Sequence, residues 1–216
     1  MPGASSQRKL TPNQQARRSR ILTAAQALLG EHGYDGMIMR DVAARAGVSP
    51  TTLYNLYNTK DELLLEALRE SVAESWQRAV RAVPQLGMNR LIAQMHESVQ
   101  QTREAPTFSR AISQALFRAS EGDAIVRVLV QGNTRAVAAS LKQMVDDGEL
   151  TRQCDLDGLA RSLVGTFWAH YHLWNIGQLD LDALETELTR CLLSMLLPFA
   201  RGSARVRITQ HFEAGD

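Results

Sequence analysis

Apolar residues recur at helical spacing through most of the chain, and alternating runs of the kind a sheet requires are few. Between residues 13 and 32, Ile21, Ala24, Ala25, Leu28 and Leu29 share one face, and Gly33 ends the pattern. Tyr34, just beyond, is expected to tuck into a small core. A short helix follows, with Val42, Ala43 and Ala46 inward, stopped by Gly47 because glycine tolerates the left-handed backbone of a helix end. Val48 is a small apolar plug. Ser49 can cap the next helix and Pro50 suits its first turn, with Leu53 and either Leu56 or Tyr57 inward. A long helix begins near Thr59, where Glu62 three residues later completes a capping-box pattern. It runs to about residue 83 with Leu64, Leu68, Val72, Trp76, Ala79 and Val83 in one stripe, and Pro84 and Gly87 end it.

Helical periodicity continues over about 88–103 and 107–119, parted by Pro106, then over 123–147, 156–177 and 181–200. The expected fold is all-α with about nine helices. A three-helix N-terminal domain spans 13–60, the helix over about 60–83 links it to a second helical domain, and that domain spans 61–200. Residues 1–12 read as a flexible basic arm. Residues 201–216, basic at Arg201, Arg205 and Arg207, read as a tail ordered in part at best.

The two short helices parted by Gly47 have the layout of a helix-turn-helix. An ordinary helical hairpin can share that turn, so charge carries weight. No acidic residue lies between Val48 and Lys60. Residues 1–60 hold 8 Lys and Arg against 3 Asp and Glu, while the remainder holds 16 against 20, so a net charge of +1 conceals a basic end suited to a polyanion. Thr51, Thr52 and Asn55 are candidates for base edges, and Arg40, Tyr54 and Lys60 for phosphates. Ser49 and Tyr57 complete the candidate DNA-binding set.

Residues 17–68 resemble the N-terminal domain of the TetR family of transcriptional regulators. The matching pieces are Ile21-Leu22-x-Ala24-Ala25, Gly33-Tyr34, Asp41-Val42-Ala43, Ala46-Gly47-Val48-Ser49, Thr52-Leu53-Tyr54 and Lys60-Asp61-Glu62-Leu63-Leu64. Three positions depart from the family pattern. Ile38 stands where a Ser or Thr usually caps the second helix, Leu56 where His or Tyr is common, and Thr51 where Gly is frequent. The resemblance implies a ligand-responsive repressor that binds a palindromic operator as a homodimer.

The last two helices are apolar on two sides, which suits one face for the protomer's own core and one for a second copy. Leu163, Phe167, Trp174, Leu184, Leu188 and Met195 are the candidate dimer residues. An effector in the second domain would be small and mainly apolar, with Trp76, Met88, Met95, His96, Phe108, Phe117, Trp168 and His172 as candidate lining. The same residues also suit plain core packing.

His170 and His172 fall on different helix faces, so no metal site is expected. No cofactor motif or nucleophile-base set occurs, and an enzyme is not expected. Cys154 and Cys191 are isolated, which suits a reducing cytoplasm. The uncharged run 162–179 contains Thr166, His170, His172, Asn175 and Gln178, which a lipid-facing helix would bury at high cost. The rival readings are a small-molecule-binding helical protein or enzyme with a structural hairpin, and a DNA-binding activator that senses no ligand.

Overall fold

The computed structural model describes residues 11–120 and 122–214. Among them the architecture is eleven α-helices, one π-helical segment and no strand, apart from an isolated bridge between Leu150 and Ala200. The chain divides into two compact units, residues 1–68 and 69–216.

In the first unit, α1 (Pro12–Gly36) begins at a capping box in which Thr11 accepts from the Gln14 amide and the Gln14 side chain accepts from the Thr11 amide. Thr11 and Pro12 therefore belong to the helix start, and the remainder of the expected arm lies outside the described residues. Ile21, Leu22, Ala24, Ala25, Leu28 and Leu29 are buried as their spacing predicts. Gly33 breaks the helical geometry at φ 68°, ψ −178°, a region open at low cost only to glycine.

Helices α2 (Met39–Ala46) and α3 (Pro50–Leu56) follow. Ile38 sits at the N-cap of α2 and gives no side-chain cap bond, as its apolar nature dictates. Gly47 ends α2 in the left-handed conformation, φ 65°, ψ 41°. The alternative at the end of α3 resolves in favour of Tyr57, which is buried, while Leu56 is 47% exposed. Tyr34 differs from expectation. It is 46% exposed, because its hydroxyl bonds to Asp61 and its ring faces Lys60 rather than the core.

Helix α4 (Lys60–Ala82) starts under a cap in which the Thr59 hydroxyl accepts from the Glu62 amide at 3.1 Å. The Glu62 carboxylate reaches back to the Asn58 amide at 2.9 Å, one residue further than the usual box. Leu63, Ala67, Leu68, Ser71, Ser75 and Ala79 are the buried positions of α4, while Leu64, Val72 and Trp76 are half-buried. The true stripe thus includes two serines that hydrophobic periodicity passes over.

In the second unit, α5 (Met88–Glu104) and α6 (Pro106–Arg118) match expectation. The next helical run contains three parts: α7 (Ala124–Val126), a π-helical segment (Arg127–Gly132) and α8 (Asn133–Asp146). Helices α9 (Leu156–Asn175) and α10 (Leu181–Leu196) pack against each other, α9 also against α6 and α8, and α10 also against α5. The larger apolar core gathers Leu91, Leu141, Met144, Leu163, Leu192 and Leu196. A smaller one gathers Val99, Tyr171, Trp174, Leu184 and Leu188.

The expected tail is corrected. Residues beyond Ala200 form α11 (Gly202–Glu213), which inserts Ala204 and Ile208 into the larger core. Backbone bonds from Thr151 to Phe199 and from Arg201 to Glu149, with the Arg207–Glu149 ion pair at 2.6 Å, fix where it starts. Ala204 and Ile208 are its buried core residues, with Phe212 packed against the same core one turn on, and the other positions are polar or exposed, so its sequence reads as polar.

Candidate DNA interface and effector cavity

Helix α3 owes its start to its N-cap, Ser49. The Ser49 hydroxyl accepts from the Thr52 amide at 3.1 Å and lies 2.8 Å from the Thr52 hydroxyl, so the cap and the first turn are one network. Leu53, fully buried, and Tyr57 anchor one side of the helix. Thr51, Tyr54 and Asn55 are left exposed. Asn55 and Thr51 point furthest from the anchored side at 100° per residue, whereas Thr52 is half-buried and already bonded to Ser49. Arg40 is exposed on α2.

Lys60 and Tyr57 are placed differently from the other six. The Lys60 ammonium donates to the carbonyls of Tyr34 at 2.6 Å and Met37 at 3.2 Å and lies 4.2 Å from the Tyr34 ring centroid. It ties the kinked end of α1 to the start of α4. Tyr57 is 9% exposed, so its ring serves the core. Arg45 and Glu31 form a bidentate pair, at 2.6 and 2.9 Å, that joins α2 to α1. The Arg45 guanidinium holds the Glu31 carboxyl below its ordinary range.

The second unit contains a partly enclosed cavity with about 480 Å³ of empty space, part of it open to solvent. Leu91, Gln94, Met95 and Ser98 come from one face of α5. Trp76 comes from α4, Asn133 and Val137 from α8, Leu163, Val164 and Phe167 from α9, and Leu192 from α10. The Trp76 indole N–H donates to Asn133 Oδ1 at 3.0 Å, and the Asn133 amide donates to the Leu129 carbonyl at 2.8 Å. Trp168 also donates to Leu129, at 3.4 Å. The π-helical geometry thus frees a carbonyl that two side chains then satisfy.

Of the expected effector residues, Trp76 and Met95 line this cavity. Met88 and Phe108 are buried elsewhere, at 5% exposure each. His96 is exposed and meets Glu185 at 2.7 Å. Phe117, 50% exposed, stacks on His172 at 4.3 Å, and Trp168 stands edge-on to Phe167. The lining residues that sequence reasoning missed on α5, Leu91, Gln94 and Ser98, stand with Met95 at spacings of three, four and seven, which was the available signal.

Four of the six candidate dimer residues lie inside the protomer. Leu163, Trp174, Leu184 and Leu188 are at most 4% exposed within a single chain, and they fill the protomer's own cores. Phe167 lines the cavity, and Met195 is half-buried where the Thr166 hydroxyl meets its sulfur. The outward face of α9 is instead Ser162, Gly165, Ala169, Leu173 and Ile176. A side chain at Gly165 would enter open space.

Cys154 and Cys191 are free thiols. No group of metal-ligating side chains, and no helix long and apolar enough to cross a membrane, occurs among the described residues.

Residues 21–67 match the family described as bacterial regulatory proteins, tetR family. The chain is 31% identical over 135 residues to the HTH-type transcriptional repressor KstR of Mycobacterium tuberculosis, covering 58% of this chain and 60% of that one. It is 30% identical to an uncharacterised HTH-type transcriptional regulator of Mycobacterium tuberculosis, covering 69% of this chain and 73% of that one. A crystal structure of a TetR-family transcriptional regulator from Rhodococcus sp. aligns with TM-score 0.72 at 21% identity, covering 84% and 99%. The capped reading helix, the glycine turn before it and the extent of these matches have one explanation: the chain belongs to the TetR family of bacterial transcriptional regulators.

Proposed function

We propose that the protein is a cytoplasmic repressor that binds a palindromic operator as a homodimer and leaves it when a small, mainly apolar effector occupies the cavity of the second unit. Catalysis plays no part in this reading. Thr51 and Asn55 face base edges, and Arg40 and Tyr54 face phosphates, because these are the exposed residues on and beside a helix whose other side is anchored. The dimer forms through the outward face of α9 with its neighbours on α10, where Ser162, Gly165 and Ala169 allow close approach and Leu173 and Ile176 supply apolar area.

The carrying observation is that Trp76 stands in the cavity wall while belonging to the helix that begins at Lys60. A ligand that displaces the Trp76–Asn133 bond biases α4, and α4 is continuous with the DNA-reading unit. The two reading heads of a dimer must match grooves about 34 Å apart, or a multiple of that, so a shift of a few ångströms releases DNA. The test is an operator-binding titration of wild type and Trp76→Phe with and without ligand. The variant should keep operator affinity and lose part of the ligand's effect. An unchanged effect of ligand would remove Trp76 from the coupling.

A further inference from the structure

We propose that the cavity of the second unit selects a neutral, apolar molecule bearing one hydroxyl group, and that Gln94 is the residue that recognises the hydroxyl. This rests on the reading of that cavity as the effector site. No lining residue is ionisable. The Arg78–Glu97 pair, at 2.8 Å, lies on the same two helices as Trp76 and Gln94 but outside the lining. A carboxylate or ammonium ligand would therefore lose its hydration with no opposite charge to meet it.

The polar groups of the lining are mostly spoken for. Trp76 donates to Asn133, and Asn133 donates to the Leu129 carbonyl. Gln94 Nε2 donates to the hydroxyls of Ser75 at 3.1 Å and Ser98 at 3.3 Å. What remains is Gln94 Oε1, which is buried and has no partner. An unpaired buried carbonyl oxygen is a standing demand for a donor, and a ligand that meets it is favoured over one that cannot. Ethers, esters and hydrocarbons have no donor to offer. A hydroxyl donates its proton to Oε1, while Nε2 stays with the two serines. Leu91, Met95, Val137 and Phe167 then cover the hydrocarbon part.

The test uses the full-length protein and three probes built on an unbranched ten-carbon chain: decan-1-ol, its methyl ether and decanoate, each titrated calorimetrically at pH 7. The alcohol should bind at least about tenfold tighter than either of the others, the ratio that one satisfied buried acceptor provides. In Gln94→Met, which keeps the length of the side chain and removes its amide, alcohol and ether should bind alike. Equal binding of alcohol and ether to wild type, or tightest binding by decanoate, would overturn the hydroxyl assignment while leaving the cavity as a ligand site. Absence of binding by all three would instead overturn the cavity reading, and this inference with it. If Gln94→Met melts early, the three-probe comparison on wild type decides alone.

Discussion

Lys60 holds Tyr34 from two directions: its ammonium donates to the Tyr34 carbonyl at 2.6 Å and sits 4.2 Å from the centroid of the Tyr34 ring. With the bond to Met37, one side chain closes the loop between the kink at Gly33 and the start of α4. The residue that sequence position assigns to phosphate is therefore first a staple of the fold, with any phosphate contact added to that role. Lys60→Ala should lower the stability of the first unit by about 1.5–3 kcal/mol, the range for hydrogen bonds to a charged donor. It should weaken specific and random duplex in equal proportion. Urea unfolding and paired DNA titrations check both, and a variant of unchanged stability that loses DNA affinity would return Lys60 to a pure phosphate contact.

The same hub predicts a pH effect. The hydrogen bond to Asp61, helped by partial burial and by the charge of Asp61, pushes the Tyr34 phenol up to about 12. A folded-state pKa above the unfolded value of about 10 contributes stability below pH 10 and loses it as pH rises towards 12. Ultraviolet titration of wild type against Tyr34→Phe should show a phenol that ionises late. Ionisation near pH 10 would mean that the Asp61 bond does not form in solution.

On α3, Asn55→Ala and Thr51→Ala should each cost about 1–3 kcal/mol on a cognate site and little on random duplex. Thr52→Ala should cost less on DNA, because its hydroxyl is engaged with Ser49 and its side chain is half-buried. If Thr52 proves the most selective of the three, the outward direction of α3 has been misjudged.

The dimer face separates two kinds of variant. Ala169→Arg or Leu173→Glu changes exposed positions of α9 and should give folded monomers that do not hold operator DNA. Leu188→Glu places a charge in the protomer's own core and should cost about 3–5 kcal/mol of stability. Light scattering with thermal melting distinguishes the outcomes. A dimeric Leu173→Glu would move the interface elsewhere.

Those two kinds of variant also mark where sequence reading succeeds and fails. The N-terminal unit was legible because caps, a glycine stop and two anchors act locally: Ser49, Pro50, Gly47 and Leu53 each do what their chemistry requires. In α9, apolar residues on two sides announced two partners but not which side met which. The own-chain cores took the large residues, Leu163 and Trp174, and left small ones, Gly165 and Ala169, facing out. Leu173 and Ile176 are the large apolar residues left on that face, and a hydrophobic stripe gives little weight to the small ones between them. The cavity escaped for a related reason. Gln94, Ser98 and Asn133 look like solvent-facing positions until five helices are assembled around them, and the π-helical segment that orients Asn133 leaves no mark on periodicity. Ala204, Ile208 and Phe212 make a stripe one residue wide, too narrow among the arginines around it to announce α11.

A dimer that reads a two-fold symmetric DNA sequence is what the proposed function requires of this chain. The most direct test is selection of duplexes from a random library by the full-length protein, followed by titration of the winner over a range of salt concentrations. A palindromic site should emerge, bound by one dimer at least about 10³-fold tighter than random duplex, with log affinity falling linearly as log salt rises. Enrichment of no sequence, or affinity that is the same for every duplex, would contradict the account.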